Sequence, residues 1–334
     1  MRVFLGSLLA SLLLVSNAAW AACQGRDLVA ALPAADQAAL TATAAQQPYA
    51  EGILWRAQRG AQVIHLVGTM HFHDPRHQAT LDQVIPWLDA ATTVMLELGE
   101  GDEARLQRKI AETPSLAFIT EGPTLPDLLS AEDWDLLRTA MAQRGTPGFF
   151  AAKMQPWMAL ITLGLTKCVV EDVAAGKKGL DGLIMAYAAA IGKPAQALED
   201  YDAALQIFGS YTQDEMLEFL RLFLQLEAFN ADDQHHTLVE AYFREEIRAI
   251  WAFTVQQALA QPQGMTEAQI LAEYDRLEDA LMTRRNTAWM ARILAAVEAG
   301  PVVVAAGALH MPGETGLLAL LEEEGFEITR IPRD

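Results

Sequence analysis

Two apolar-rich stretches, Ile53 to Gln58 and Ala61 to Val67, flank Arg59-Gly60 and predict a β-hairpin around a tight turn, with the second strand stopping at Gly68. Three further short apolar runs predict strands: Thr93 to Leu98 (TVMLEL), Ala195 to Leu198, and Pro301 to Ala306 (PVVVAA). Glu327 to Ile331 closes the chain as an edge strand. A helical period runs through Leu81 to Ala90. Between the sheet segments the spacing is helical throughout, as in Met216, Phe219, Leu220, Phe223 and Leu224, a stripe that reads as core. Ser130-Ala131-Glu132-Asp133, Thr212-Gln213-Asp214-Glu215 and Thr266-Glu267-Ala268-Gln269 each resemble a capping box, and Gly145 and Gly300 stop two of the helices.

The economical architecture is a single α/β domain, residues 51–334, whose central mixed sheet is built from both ends of the chain and flanked by helices, with a large helical insertion over about 101–296. Ala-rich Asp27 to Gln47 reads as a helical arm within residues 22–50. The first 21 residues, with Arg2, an apolar run from Val3 to Val15 and small residues at Ala19 and Ala21, have the grammar of a secretory signal peptide. Export to the periplasm or the medium is the expectation. Cleavage one residue later would leave Cys23 first and open a lipoprotein reading, against which Trp20 stands where an aliphatic residue belongs. The apolar run falls short of the ~20 residues of a spanning helix, so no transmembrane segment is expected after signal removal.

Composition narrows the partners. The 334 residues carry 24 Lys+Arg against 43 Asp+Glu, a formal charge of −19, and this disfavours nucleic acid, whose affinity comes chiefly from basic residues neutralising phosphates. Cys23 and Cys168 are the only cysteines, and in an oxidising compartment they would most simply pair. The alternative leaves two thiols, Cys168 being an ordinary small apolar residue in LGLTKCVV.

One pattern occurs twice. Strand-like Ile64 to Val67 leads into Gly68-Thr69-Met70-His71, and strand-like Val302 to Ala306 into Gly307-Ala308-Leu309-His310. Each copy puts a histidine three residues after a glycine at the carboxyl end of an apolar run, where open α/β sheets hold their ligands. Glu97 interrupts VMLEL and Glu199 ends AQALE; a carboxylate there is costly unless paired, metal-bound or open to a polar cleft. His71, His310 and these glutamates make a set suited to Mn, Fe, Co or Zn. Pro75 breaks any simple helix between His71 and His77, which excludes a zinc helix of the HExxH kind. His73 is a candidate substrate contact, whereas His235 and His236, beside Asp232 and Asp233, read as a solvated helix start, and Asp181 as a helix cap. Arg285, in Arg284-Arg285-Asn286, is placed to stabilise negative charge beside the carboxylates, if it is not simply a surface residue.

Gly68-Thr69-Met70-His71 with Asp74-Pro75-Arg76, Glu97, Gly179-Leu180-Asp181, Leu198-Glu199, Arg285-Asn286, and Gly307-Ala308-Leu309-His310 running into Gly313 and Gly316-Leu317-Leu318 together resemble the TraB/GumN family, over nearly all of the mature chain. The opening Cys23-Gln24-Gly25-Arg26-Asp27-Leu28 looks like its bacterial, exported GumN-type members. That family is similar to the Tiki metalloproteases and more distantly to ChaN and erythromycin-esterase-like proteins. The resemblance implies a divalent-metal site with His71 and His310 as ligands, Glu97 as ligand or general base, Glu199 as an acidic partner, and Arg285 and Asn286 lining the cleft. It implies an exported metal-dependent hydrolase acting on a peptide or protein. The competing readings are a non-enzymatic binder of haem or metal using the same histidines, and an accessory factor in polysaccharide assembly or export.

Overall fold

Arg59 and Gly60 turn the chain sharply, Gly60 taking the left-handed φ of 58° that a side chain would oppose, and strands β1 (Leu54–Arg59) and β2 (Gln62–Thr69) pair antiparallel from Leu54 opposite Val67 to Arg59 opposite Gln62. The strand runs one residue past Gly68, because Gly68 and Thr69 still pair with the neighbouring Ala306 and Gly307. The structure, a computed structural model, describes residues 23–227, 231–260, 262 and 265–333; the expected signal peptide lies outside the described residues.

Strands β3 (Thr93–Leu96), β4 (Gln196–Ala197), β5 (Val302–Gly307) and β6 (Glu327–Arg330) complete one mixed six-stranded sheet in the order β4-β3-β5-β2-β1-β6. The architecture is α/β as the pattern predicts, with β6 at the edge. β2, β3, β4 and β5 run parallel, so their carboxyl ends come to one edge. β3 is two residues shorter than TVMLEL suggests, and Glu97 therefore stands just beyond the strand end.

Period-two alternation sorts β5 between two cores. Val303 and Ala305 pack with the helices His77–Ala90, Leu180–Ala190 and Ala231–Phe243 on one face; Val302, Val304 and Ala306 pack with Arg284–Val297 and Leu317–Glu323 on the other. A separate helical core within the insertion gathers Leu125, Leu137, Met141, Leu163, Leu217 and Leu220. Within the Met216 stripe, Met216, Leu220 and Leu224 are buried but Phe223 is exposed, since Leu217 rather than Phe223 completes the buried face. All three capping pairs form: Ser130 Oγ accepts from Asp133 N at 3.0 Å, Thr212 Oγ1 from Glu215 N at 3.3 Å and Thr266 Oγ1 from Gln269 N at 3.3 Å.

The arm is helical only over Ala34–Ala44, starting after Pro33. Ahead of it the chain lies against the Ala231–Phe243 helix, with Arg26 paired to Asp233 at 3.0 Å and Leu28 N donating to Thr237 Oγ1 at 2.8 Å. Cys23 and Cys168 are joined in a disulfide with Cα atoms 5.6 Å apart and a sequence separation of 145. Closing a loop of that length restricts the unfolded chain by about 5 kcal/mol in the chain-entropy account. Among the described residues no helix is long and apolar enough to cross a membrane.

Candidate active site at the carboxyl edge of the sheet

β2 and β5 are neighbours in register, Thr69 opposite Gly307, so the two Gly-x-x-His turns leave the sheet side by side. An alanine Cβ on Gly68 would lie 3.1 Å from Ala308 Cα, so that glycine lets the two turns approach closely. On Gly307 it would lie 3.3 Å from Glu97 Oε1, 3.7 Å from His310 Cδ2 and 3.9 Å from His71 Nε2. The space left by the missing side chain of Gly307 is therefore the point on which Glu97 and both histidines converge. It opens into a cleft of about 610 Å³ whose walls include Leu98, Glu103, Val173, Lys178, Met185 and Tyr201.

Each imidazole is oriented from behind. Asp181 Oδ2 lies 3.2 Å from His71 Nδ1, and Asn286 Oδ1 lies 2.6 Å from His310 Nδ1. Asn286 Nδ2 donates to the carbonyls of Thr315 (2.9 Å) and His310 (3.3 Å), which leaves its oxygen to accept from His310 Nδ1–H. The Nε2 lone pair of His310 thus faces Glu97 Oε1 at 3.9 Å and accepts from Arg285 Nη1 at 3.2 Å. Glu97 Oε1 also accepts from Gly307 N at 2.7 Å, and its Oε2 from Arg285 Nη2 at 2.7 Å. Arg285 spans the floor of the site: Nε and Nη2 donate to Glu199 at 2.8 and 2.6 Å, and Trp289 Nε1 fixes the same carboxylate at 3.1 Å.

The two histidines differ in charge. The Asp181 hydrogen bond outweighs the cost of burial and raises His71 to about 9, although 59 % of its side chain is open to solvent. Burial lowers His310 to about 4, with the cations Arg285 and His71 acting in the same sense and Glu97 opposing them. Burial alone would raise Glu97, but the imidazoles of His310 and His71, the Arg285 guanidinium and the Gly307 N–H hold it at about 2. At neutral pH His310 is uncharged, so Arg285 and His71 supply the positive charge that keeps Glu97 ionised.

The donor types, two imidazoles with their rear nitrogens tied down and one carboxylate, suit a divalent cation, which would displace the His71 proton and the Arg285 hydrogen bond to His310 Nε2. The 3.9 Å between His310 Nε2 and Glu97 Oε1 is within the ~4.2 Å that two bonds of ~2.1 Å reach. The three donors as a set do not lie within 4.8 Å of one another, and His71 is the one that stands off. Cys23, Cys168 and Asp172 do meet that spacing, but the two sulfurs are bonded to each other and offer no thiolate.

The structure thus brings together His71, Glu97, Glu199, Arg285, His310 and the glycines Gly68 and Gly307. It corrects three local readings. Asn286 does not line the cleft; it is 1 % exposed beneath His310. Asp181 is not the helix cap, a position Gly179 takes; it lies in the first turn and its carboxylate reaches His71. His235 is 9 % exposed rather than solvated, because it lies within the helix Ala231–Phe243, on the face that packs against the body of the protein. Arg284 stays on the surface beside Asp279, and only Arg285 turns inward. His73 sits outside the cluster with Nδ1 3.3 Å from the Lys178 carbonyl, and His77 is fully buried with Nε2 3.0 Å from the Phe72 carbonyl.

The chain belongs to the TraB/PrgY/gumN family, whose sequence profile matches residues 53–330. No curated protein and no solved structure matches it.

Proposed function

We propose that this family member is an exported, metal-dependent hydrolase of peptide or protein substrates, with His71, His310 and Glu97 holding a divalent cation of the Mn, Fe, Co or Zn group. The observation that carries the reading is the convergence of two rear-anchored imidazoles and one ionised carboxylate on the open space at Gly307. A cation held there supplies Lewis-acid polarisation of a carbonyl and lowers the pKa of water.

The chain's own groups do the rest. Asp181 and Asn286 hold the two rings in the tautomer that turns Nε2 to the cleft. Glu97, ionised and facing the same space, takes a proton from the attacking water. Arg285 presents a fixed positive charge to the oxyanion, and Glu199 with Trp289 keeps its guanidinium in place. Glu199 is thus a positioning residue rather than a second base. Export is supported by the Cys23–Cys168 disulfide, a bond that persists in oxidising compartments; a sulfur so bonded cannot also carry a lipid thioether.

Elemental mass spectrometry on the purified mature protein after exposure to Mn, Fe, Co and Zn in turn tests the reading. Near-stoichiometric metal in the wild type, lost in both His71→Ala and His310→Ala, is expected. Metal retained by both variants would remove the site. Glu97→Gln should keep the fold and lose turnover of a peptide library, and an unchanged rate would take Glu97 out of the chemistry.

A further inference from the structure

His235 is a buried imidazole that the proposed reaction does not use. It is 9 % exposed, its ring packs edge-on against Phe72 at a centroid distance of 5.0 Å, and it makes no hydrogen bond among the described residues. Its ring nitrogens are not sealed in the packing but reach the open space beside them, where a bound group can meet them. Burial keeps it below the ordinary imidazole pKa, and it presents a neutral ring at pH 7.

Its surroundings say what the partner is. On one side lies a cavity of about 270 Å³ walled by Phe72, Leu163, Leu238, Ala241, Ile250 and Phe253. Not one of its described lining residues is Asp, Glu, Lys or Arg, in a chain of which 20 % is charged. The other polar groups facing it are uncharged, notably Gln234 and Gln257, which bond each other at 3.1 Å. An apolar cavity of ~150 Å³ holds benzene, so this one has room for a body nearly twice that size. On its other side His235 borders a polar pocket of about 120 Å³. The cations there are already paired, Arg76 with Asp74 and Glu240 at 2.9 Å each, and Lys177 with Asp172 at 2.7 Å. Among the described residues neither pocket offers an unpaired Asp, Glu, Lys or Arg side chain to an ionic head group.

We propose that this cavity binds a small uncharged amphiphile, its apolar body between Leu238, Ala241, Ile250 and Phe253 and its neutral amide or hydroxyl group hydrogen-bonded to His235. The assignment stands apart from the hydrolase reading, although the cavity shares Phe72 with the turn that carries His71.

Calorimetric titration of the full mature chain with octanamide tests it, beside octanoate and octylammonium as ionic heads on the same body. One saturable site for octanamide is expected, with both ionic probes at least about tenfold weaker. His235→Phe keeps the ring and removes its nitrogens, and should weaken octanamide by about tenfold or more. Ala241→Phe fills the cavity and should abolish binding; Thr254→Phe serves the same end if the first variant does not fold. Protein stripped by a chelator should bind octanamide as before, which separates this site from any metal centre. Absence of saturable binding in the wild type, equal affinity for octanoate, or undiminished binding in a folded cavity-filled variant would each overturn the proposal.

Discussion

The two Gly-x-x-His turns have the same spacing and end adjacent parallel strands, yet they meet different physics. His71 is more than half exposed, backed by a carboxylate, and holds its proton to about 9. His310 is buried, backed by an amide, and gives its proton up to about 4. The glycines differ too: Gly68 lets one turn approach the other, whereas Gly307 keeps the middle of the site open. A repeated motif thus fixes where a ring stands. Its charge is set by the residue behind it, which lies far away in sequence.

The largest effect that can break this comparison comes from those residues. Asp181→Ala and Asn286→Ala leave the front atoms of both histidines intact but release their rear nitrogens. Each should lower the affinity of the site for its cation by about 10–100-fold, the usual range for such outer partners. Competition against a metallochromic chelator measures it. If Asn286→Ala binds metal like the wild type, the ring of His310 is held by burial alone, and the likeness between the two turns fails.

The glycines give a smaller and more divided response. In Gly68→Ala the new methyl meets Ala308 Cα at 3.1 Å and Cβ at 3.2 Å, so two backbones must part, and a loss of about 1–3 kcal/mol in urea unfolding is expected. In Gly307→Ala the backbone is at φ −46° and the nearest atom is Glu97 Oε1 at 3.3 Å, so the fold should hold to within about 0.5 kcal/mol while metal uptake falls. Equal destabilisation by both substitutions would mean that the two glycines do the same job.

Much of this was legible in the chain. The apolar runs placed the hairpin, Val302 to Ala306 and the edge strand, and the echo of glycine and histidine marked the site because both copies follow the carboxyl end of an apolar run, where open α/β sheets hold their ligands. Glu97 stood out because a carboxylate in an apolar run needs a reason. Asp181 did not, since an acidic residue in the first turn of a helix is already explained by the helix; its reach to His71 depends on Gly179, where an added Cβ would lie 2.3 Å from the Met70 carbonyl oxygen, a purely tertiary fact. Asn286 and His235 were misplaced for the same reason. Each lies on a helix whose buried face is decided by what packs against it, not by its immediate neighbours.

The smallest effect tests the sign of the difference in metal-free protein. A histidine whose pKa is raised on folding stabilises the native state fully below its unfolded value of about 6.5, and the contribution disappears as pH climbs through about 9. A histidine whose pKa is lowered does the reverse: its contribution is present above about 6.5 and is lost as pH falls through about 4. His71 should therefore erode stability on the alkaline side and His310 on the acid side. Because 59 % of the His71 side chain is in solvent, its ion pair with Asp181 is screened, and its limb should amount to no more than about 1 kcal/mol. Urea unfolding at intervals from pH 3 to pH 10 would resolve it, with Asp181→Asn as the comparison. The variant should be flatter than the wild type above about pH 6.5, and it should keep the acid limb, since His310 draws its low pKa from burial and not from Asp181. An alkaline slope that survives in Asp181→Asn would mean that the charge on His71 is not set by the carboxylate behind it.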